Sequence, residues 1–569
     1  MPSAIFHLKN RLPAFDASDR RLAIRGAVVA AIHLVAIAIM LATEDEAAAQ
    51  IAYVFTWGLL NCFWLAVLRR PAASAALSLA FIVGLILLSQ LKHSVLFMTV
   101  NFVDVMIIDT DTFAFLLTVF PDLGRNIALA VAAGLAALIL VWRLDPFRVP
   151  MRRASMGSAV CLVGLAGVSF AVPTDPYNEF YTGQYVSKFA RSGVTAVADY
   201  FTRGLLEADA AVTDRLRLAP AASCGSSRQL PHIVMVFDES SFDLSVAPGV
   251  TVPPDYRRHF TSLDGKRRSL IVEGVGGPSW FTEYNVLTGL SVRSYGRFAD
   301  FVTRIAAGRV ERGLPHTLRR CGYRTFSLYP FLGAFLSARN FQTTTGIQNF
   351  IDAKQLGAVG IEADRFYYDA ALKVIERERG EDPLFLFVYT AANHFPWTHR
   401  FRPDLLPEWR DLGNHPEADE YLRRQAMSAQ DYGAFVADLK RRFPGEPFLI
   451  LRFGDHQPSF ARNLIDPAYD DSALARRIAE NDVRFLTTYY AIDAVNFQPA
   501  GLGSALETLD APYLPLVVLE AAGLPLDPTF AEQKDIFERC RGLFYRCAGG
   551  AEARRFNRLL IDAGLMKGF

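Results

Sequence analysis

Two short polar segments follow directly on apolar runs, and their residue types could hold a metal. His232–Phe237 leads into Asp238-Glu239-Ser240, and Phe448–Phe453 leads into Gly454-Asp455-His456-Gln457-Pro458. A carboxylate from the first and an Asp and a His from the second make a mixed oxygen and nitrogen set. Such a set suits Zn²⁺ or Mn²⁺ better than Ca²⁺, which prefers oxygen alone. Each segment also has a plainer reading. The Asp-His pair could be a turn with a capping Asp, and Glu239 a carboxylate at a helix N-terminus.

Three ligands leave a further position for a reacting group. Gly274–Leu290 reads GVGGPSWFTEYNVLTGL. Glycines ahead of Ser279 suggest a sharp strand-to-helix turn, with Phe281–Leu290 beginning a helix. A hydroxyl at that N-terminus faces exposed backbone N–H groups and the positive end of the helix dipole. That environment stabilises an alkoxide and binds phosphate. Alternatively, Ser279 is only an N-cap, with Thr282 or Glu283 completing a capping box.

These residues need a frame. Strand-like runs occur at His232–Phe237, Ser269–Val272, Arg324–Tyr329, Leu384–Tyr389, Phe448–Phe453 and Leu514–Leu519, with helix-like runs near 300–320, 363–379 and 421–441. Strands alternating with helices predict an α/β sheet covered on both faces. In such sheets ligands bind beyond the carboxyl ends of the strands, where Glu239, Asp455 and His456 fall.

The 569-residue chain joins two unlike parts. Hydrophobic residues make up 51% and mean hydropathy is +0.18, high for a soluble protein, yet 21% charged is too rich for an all-membrane one. A net charge of +1 argues against a dedicated nucleic-acid binder. Apolar runs near 26–42, 51–68, 75–91, 127–142 and 155–172 predict five transmembrane helices within residues 1–173. Residues 95–120 are apolar too, but Asp104, Asp109 and Asp111 lie among them, so an interfacial or bundle-packed segment is expected.

Eleven basic residues set the orientation: Lys9, Arg11, Arg20, Arg21, Arg25, Arg69, Arg70, Arg143, Arg148, Arg152 and Arg153 fall on one side. The positive-inside rule puts that side in the cytoplasm, and five spans then place everything after residue 173 outside. Residues 174–230 read as a polar linker and 231–569 as the outer domain. Ala47-Ala48-Ala49 could mimic a cleavage site, but the long basic segment ahead of the first span favours an uncleaved anchor. Cys62 and Cys161 fall in spans. Cys224, Cys321, Cys540 and Cys547 fall outside, where Cys540–Cys547 is the easier disulfide, leaving Cys224–Cys321; free buried thiols are the alternative.

Taken together, FDESS (237–241), GGPSWFTEYNVLTG (276–289), FLSARNFQTTTGIQNF (335–350), TAANHFPW (390–397) and RFGDHQP (452–458) resemble the alkaline phosphatase/sulfatase superfamily. The resemblance is nearest to lipoteichoic acid synthase and related membrane phosphoglycerol and phosphoethanolamine transferases. It covers about 230 to 520, and the five-span anchor matches in layout. It implies a sulfatase-like α/β domain with Glu239, Asp455 and His456 on the metal. The family's nucleophilic Thr, four residues before a Glu, falls on Ser279 with Glu283 as that Glu, and Ser for Thr is a departure. Thr282 is the runner-up nucleophile. The substrate-contacting Arg falls on Arg339 and the active-site His on His394.

The implied chemistry is metal-dependent transfer of a phospholipid head group to an envelope glycan or glycolipid through a phosphoryl-serine. The catalytic domain is then extracytoplasmic on a multi-pass bacterial membrane protein. The cation, Mn²⁺ or Zn²⁺, lowers the Ser279 pKa, Arg339 holds phosphate oxygens, and His394 protonates a leaving group or deprotonates the acceptor. The 95–120 segment could shield lipid tails or dock the domain. A sulfatase proper needs Cys/Ser-x-Pro-x-Arg. Cys224-Gly-Ser-Ser-Arg228 lacks the Pro, and Ser279-Trp-Phe-Thr-Glu283 lacks both Pro and Arg. The competing readings are a phosphodiesterase of the same fold and a non-catalytic scaffold or sensor.

Overall fold

The computed structural model describes residues 17–96, 98–108, 110–145, 147–172, 174, 178, 181–216, 224 and 230–568. Lys9, Arg11, Asp109 and residues 217–223 and 225–229 of the expected linker, Arg228 among them, lie outside the described residues. The chain divides into two compact units. One comprises Met1–Ile108 and Leu117–Phe201, the other Asp109–Leu116 and Thr202–Phe569.

Ahead of the sheet the chain forms helices α1 (Ala17–Thr43), α2 (Ala47–Leu68), α3 (Pro71–Leu96), α4 (Phe102–Met106), α5 (Thr110–Val119), α6 (Leu123–Leu144), α7 (Met151–Ala171) and α8 (Tyr185–Arg203); α5 up to Leu116 belongs to the second unit. Five of them are long and apolar enough to cross a membrane, over Gly26–Thr43, Ala47–Leu68, Pro71–Ser94, Leu123–Leu144 and Met151–Ala171. Small residues let α2 and α7 approach closely. A Cβ on Gly58 would lie 2.6 Å from Cys161 Sγ, and one on Gly157 would lie 2.6 Å from Cys62 Sγ. Of the carboxylates of 95–120, Asp104 is used locally. Asp104 pairs with Lys92 at 2.8 Å and completes a capping box with Asn101 at the start of α4.

The second unit holds β1 (His232–Asp238), β2 (Arg268–Ile271), α9 (Ser279–Thr288), α10 (Val302–Ala306), α11 (Leu314–Arg320), β3 (Arg324–Leu328), α12 (Ala338–Thr344), β4 (Asn349–Ile351), α13 (Ala353–Leu356), α14 (Asp364–Glu378) and β5 (Leu384–Tyr389). It continues with α15 (Pro416–Arg442), β6 (Phe448–Gly454), α16 (Ala461–Ile465), α17 (Asp471–Ala479), β7 (Thr487–Val495), β8 (Thr508–Asp510), α18 (Leu514–Ala522), α19 (Pro528–Cys540) and α20 (Ala551–Asp562). The eight strands form one sheet in the order β4-β3-β5-β1-β6-β7-β2-β8. From β4 to β6 neighbours are parallel, while β7 runs antiparallel to β6 and β2.

Strands β1, β5 and β6 are buried along their whole length, which is why they read as unbroken apolar runs rather than alternating ones. On one face Val234, Val236, Leu386, Val388 and Ile450 pack against Tyr368, Leu372 and Ile375 of α14 and Phe435 and Leu439 of α15. Each such side chain stabilises the unit by about 1.5–3 kcal/mol. The register pairs Phe237 with Tyr389 and with Phe453, and Asp238 with Gly454. Glu239, Thr390 and Asp455 therefore emerge at one level, side by side.

Five of the six expected strands form. The exception is Leu514–Leu519, which is the first part of α18. Pro515 in the first turn and the left-handed Gly523 cap at the end, φ 71°, define a helix there. A fully buried apolar run carries no period that separates strand from helix. The expected helix near 300–320 is split into α10 and α11, with positive φ at Gly308 between them. Strands β4, β7 and β8 had no sequence expectation. Both disulfides form as expected, Cys224–Cys321 and Cys540–Cys547, while Cys62 and Cys161 are free.

Candidate metal centre and nucleophile

The end of β1 delivers Glu239 and the end of β6 delivers Asp455 and His456, all three buried. Their ligand atoms lie within 4.8 Å of one another. His456 Nε2 is 3.3 Å from Asp455 Oδ2 and 3.6 Å from Glu239 Oε1. Ligands on one tetrahedral Zn²⁺ stand about 3.3–3.4 Å apart, given bonds of about 2.0–2.1 Å. His456 Nδ1 faces the Gln457 carbonyl at 2.9 Å. A carbonyl only accepts, so Nδ1 carries the proton and Nε2 presents its lone pair to the carboxylates.

Asp455 Oδ1 accepts the backbone N–H of Ser240 at 2.6 Å and of His456 at 2.8 Å. Among the described residues its buried Oδ2 has no hydrogen-bond partner. Burial first, and the Glu239 charge next, push the Asp455 carboxyl well above its ordinary value; burial lowers His456. Two carboxylates and a lone-pair nitrogen turned towards one point repel one another. An orphaned carboxylate oxygen among them fits a divalent cation, and the donor set fits Zn²⁺ or Mn²⁺.

Ser279 is the first residue of α9, following Pro278, which makes no side-chain cap bond. The N-cap reading of Ser279 therefore has no support in the geometry. Its Oγ lies 3.2 Å from Glu239 Oε2 and 3.2 Å from His456 Nε2, and it is half-buried. Positive φ at Gly276, 69°, makes the turn that brings it there, with the backbone of Ser459 close by. Thr282, one turn along, is buried, and its hydroxyl donates to the Asp455 backbone carbonyl at 2.6 Å. Glu283 accepts from Gln342 Nε2 at 3.0 Å, and burial pushes its carboxyl up to about 8.

His394 follows β5 in sequence, in the turn beyond it. Its Nδ1 faces the Phe395 carbonyl at 2.8 Å, and its ring packs on Phe395 and Phe331 with centroids 4.2 and 5.3 Å apart. Burial lowers its pKa, with the Glu239 charge opposing. Arg339, on α12, is bound elsewhere. It donates to Asp352 Oδ2 at 2.7 Å, Gln355 Oε1 at 2.8 Å and the Phe350 carbonyl at 2.9 Å. The structure thus gathers Glu239, Asp455, His456 and Ser279 in bonding range, and turns Arg339 to β4 and α13.

Sequence reasoning passed over Tyr389 and Ser240. Tyr389 donates its hydroxyl to Glu239 Oε2 at 2.6 Å, and Ser240 donates to Oε1 at 2.9 Å. Tyr389 ends β5, so the strand-end rule that selects Glu239 also selects it. Asp238 turns away from the centre and accepts from Tyr489 OH at 2.6 Å, with His259 Nε2 at 3.2 Å. Tyr489 lies on β7, a strand with no expectation from the sequence pattern.

Residues 280–484 match the sulfatase family model. This bears out the superfamily resemblance over that stretch, which includes Asp455 and His456. A Rhizobium meliloti (strain 1021) protein, whose name refers to cyclic beta-1,2-glucan modification, is 23% identical over 279 residues, 47% of this chain. The match spans 42% of that relative, less than half its length. Among solved structures, the Streptococcus pyogenes phosphoglycerol transferase GacH with sn-glycerol-1-phosphate is 16% identical, with 59% of this chain and 85% of that chain covered and a TM-score of 0.45. The lipooligosaccharide phosphoethanolamine transferase A (EptA) from Neisseria meningitidis is 11% identical, covering 79% and 87%, with a TM-score of 0.40.

Proposed function

We propose that this chain, which carries the sulfatase-family match, transfers the phosphorylated head group of a membrane phospholipid to a glycan or glycolipid of the envelope. The head group is phosphoglycerol or phosphoethanolamine. The observation that carries the reading is Ser279 Oγ at 3.2 Å from both Glu239 and His456, at the start of a helix.

Glu239, Asp455, His456 and Ser279 Oγ would hold the cation, Mn²⁺ or Zn²⁺, which when bound would make the hydroxyl more acidic and offset phosphoryl charge. Ser279 Oγ attacks phosphorus and displaces diacylglycerol, leaving a phosphoryl-serine. The α9 N–H groups face the phosphate oxygens. Tyr389 and Ser240 hold Glu239 in place by donating to its two oxygens. His394 accepts the proton of the incoming hydroxyl, since Nδ1 is already committed to Phe395. Arg339 reaches phosphate only after leaving Asp352. Two disulfides and the loop charges support an extracytoplasmic position for the second unit. Ser279 is partly open to solvent, which favours hydrolysis as the second reading, with water replacing the glycan.

Full-length protein in detergent, given phosphatidylglycerol or phosphatidylethanolamine, Mn²⁺ or Zn²⁺ and an oligosaccharide, tests this. Metal-dependent diacylglycerol release with head group on the oligosaccharide is expected. Head group recovered only free in solution supports hydrolysis, and equal release by Ser279→Ala contradicts both readings.

A further inference from the structure

The turn after β5 is gripped from two sides by buried charged side chains. On one side Asp364, the first residue of α14, accepts the N–H groups of Ala391 and Ala392 on Oδ1 at 3.2 and 3.0 Å. On the other, Arg424 of α15 spreads its donors over the backbone carbonyls. Nη1 donates to His394 at 2.7 Å and Ala392 at 3.4 Å, and Nη2 to Pro396 at 2.8 Å and His399 at 3.2 Å. Its Nε is taken by Glu420 Oε1 at 2.8 Å, and that oxygen also accepts the Phe401 N–H at 2.9 Å.

Arg424 is 1% exposed. Burying a guanidinium carries a desolvation cost that one carboxylate and four carbonyls offset only if their geometry is kept. The grip is therefore stiff. Its planar fork spans four carbonyls at fixed angles, which a lysine cannot do. Of the two imidazoles in the segment, His399 is exposed and His394 is packed between Phe331 and Phe395. With Nδ1–H donated to the Phe395 carbonyl, His394 Nε2 is the lone-pair nitrogen.

We infer that Arg424 and Asp364 are positioning residues, which fix the 391–399 backbone so that His394 Nε2 meets the acceptor hydroxyl. This rests on the proposed function. In the step served, Nε2 takes the acceptor's proton, the acceptor oxygen–phosphorus bond forms and the Ser279 Oγ–phosphorus bond breaks. The electron pair stays on Oγ, which picks up a proton as Nε2 releases its own to solvent. From an ester with a good leaving group, formation of the phosphoryl-serine needs no proton from His394, so with such a substrate the grip shows itself in the second half-reaction alone.

The test uses full-length wild type, Arg424→Lys and Asp364→Ala, with the p-nitrophenyl ester of glycerol phosphate, Mn²⁺ and an oligosaccharide acceptor. In both variants the p-nitrophenolate burst stays within about twofold while steady-state turnover falls about 10²-fold, the scale of one general base. Hydrogen–deuterium exchange over 391–401 quickens without change in β1 or β6. Burst and steady state falling together, or faster exchange with unchanged turnover, overturns the positioning role. Unchanged exchange in both variants overturns the grip itself. A wild type with neither burst nor turnover instead defeats the proposed function, and exchange still decides the grip.

Discussion

Ser279 and Thr282 stand three residues apart on one helix, yet their hydroxyls have different neighbours. Ser279 faces Glu239 and His456, whereas Thr282 donates to a backbone carbonyl. Ser279→Ala is expected to lower turnover by at least about 10³-fold while Glu239, Asp455 and His456 still bind the metal with one ligand fewer, as loss of a nucleophile does. Thr282→Ala is expected to cost only several-fold in kcat, and steady-state kinetics with metal analysis separate the two. Glu283 sets a pH dependence. Burial raises its carboxyl from an ordinary 4.5 to about 8. Between those values the unfolded chain has released the proton and the folded chain keeps it, so stability falls as pH rises from about 5 to 8. In Glu283→Gln, which keeps an oxygen for Gln342, the fall in Tm over that window shrinks; an unchanged slope contradicts this account. Glu239, Asp455 and His456 were legible because strand ends are where such sheets place chemistry. Asp364 and Arg424 were not, because on amphipathic helices they look like any solvated charge.

At the scale of elements, the carboxyl ends of β1, β5 and β6 do the positioning, and a long buried run announces each of those strands. Leu514–Leu519 shows the converse: Pro515 and Gly523 decide for a helix, and the pattern of apolar residues does not. Strands β4 and β8 are three residues each, too short to leave a period. Helix α5 has two characters. Phe115 packs on Phe335 with centroids 5.4 Å apart, and Asp111 accepts from Asn340 at 2.7 Å. Phe113 and Leu117 are 56% and 54% exposed. Val119 ends α5 four residues before Leu123 begins a candidate span. Phe113→Asp with Leu117→Asp is expected to lower turnover of phospholipid vesicles about tenfold, while a water-soluble phosphodiester is turned over as before. Equal loss on both substrates contradicts a lipid-facing role.

For the whole molecule, five apolar helices and a sulfatase-like α/β unit were both legible, because hydropathy and strand-helix alternation act over tens of residues. The disulfides add a stability prediction. Cys224–Cys321 closes a separation of 97 residues and Cys540–Cys547 one of 7. Loop-closure entropy makes the first worth about 4–5 kcal/mol and the second about 2 kcal/mol. Replacing Cys224 and Cys321 by Ser is therefore expected to lower Tm more than replacing Cys540 and Cys547, as thermal unfolding under non-reducing conditions can show. The central claim is that Ser279 carries the phosphorylated head group between donor and acceptor. Intact mass spectrometry of the full chain, incubated with phosphatidylglycerol or phosphatidylethanolamine and Mn²⁺ or Zn²⁺ and then acid-quenched, reads it directly. An adduct with the mass of phosphoglycerol or phosphoethanolamine on wild type, absent from Ser279→Ala, is the predicted result. The same adduct on Ser279→Ala, or neither adduct nor diacylglycerol with any lipid and metal pair, contradicts it.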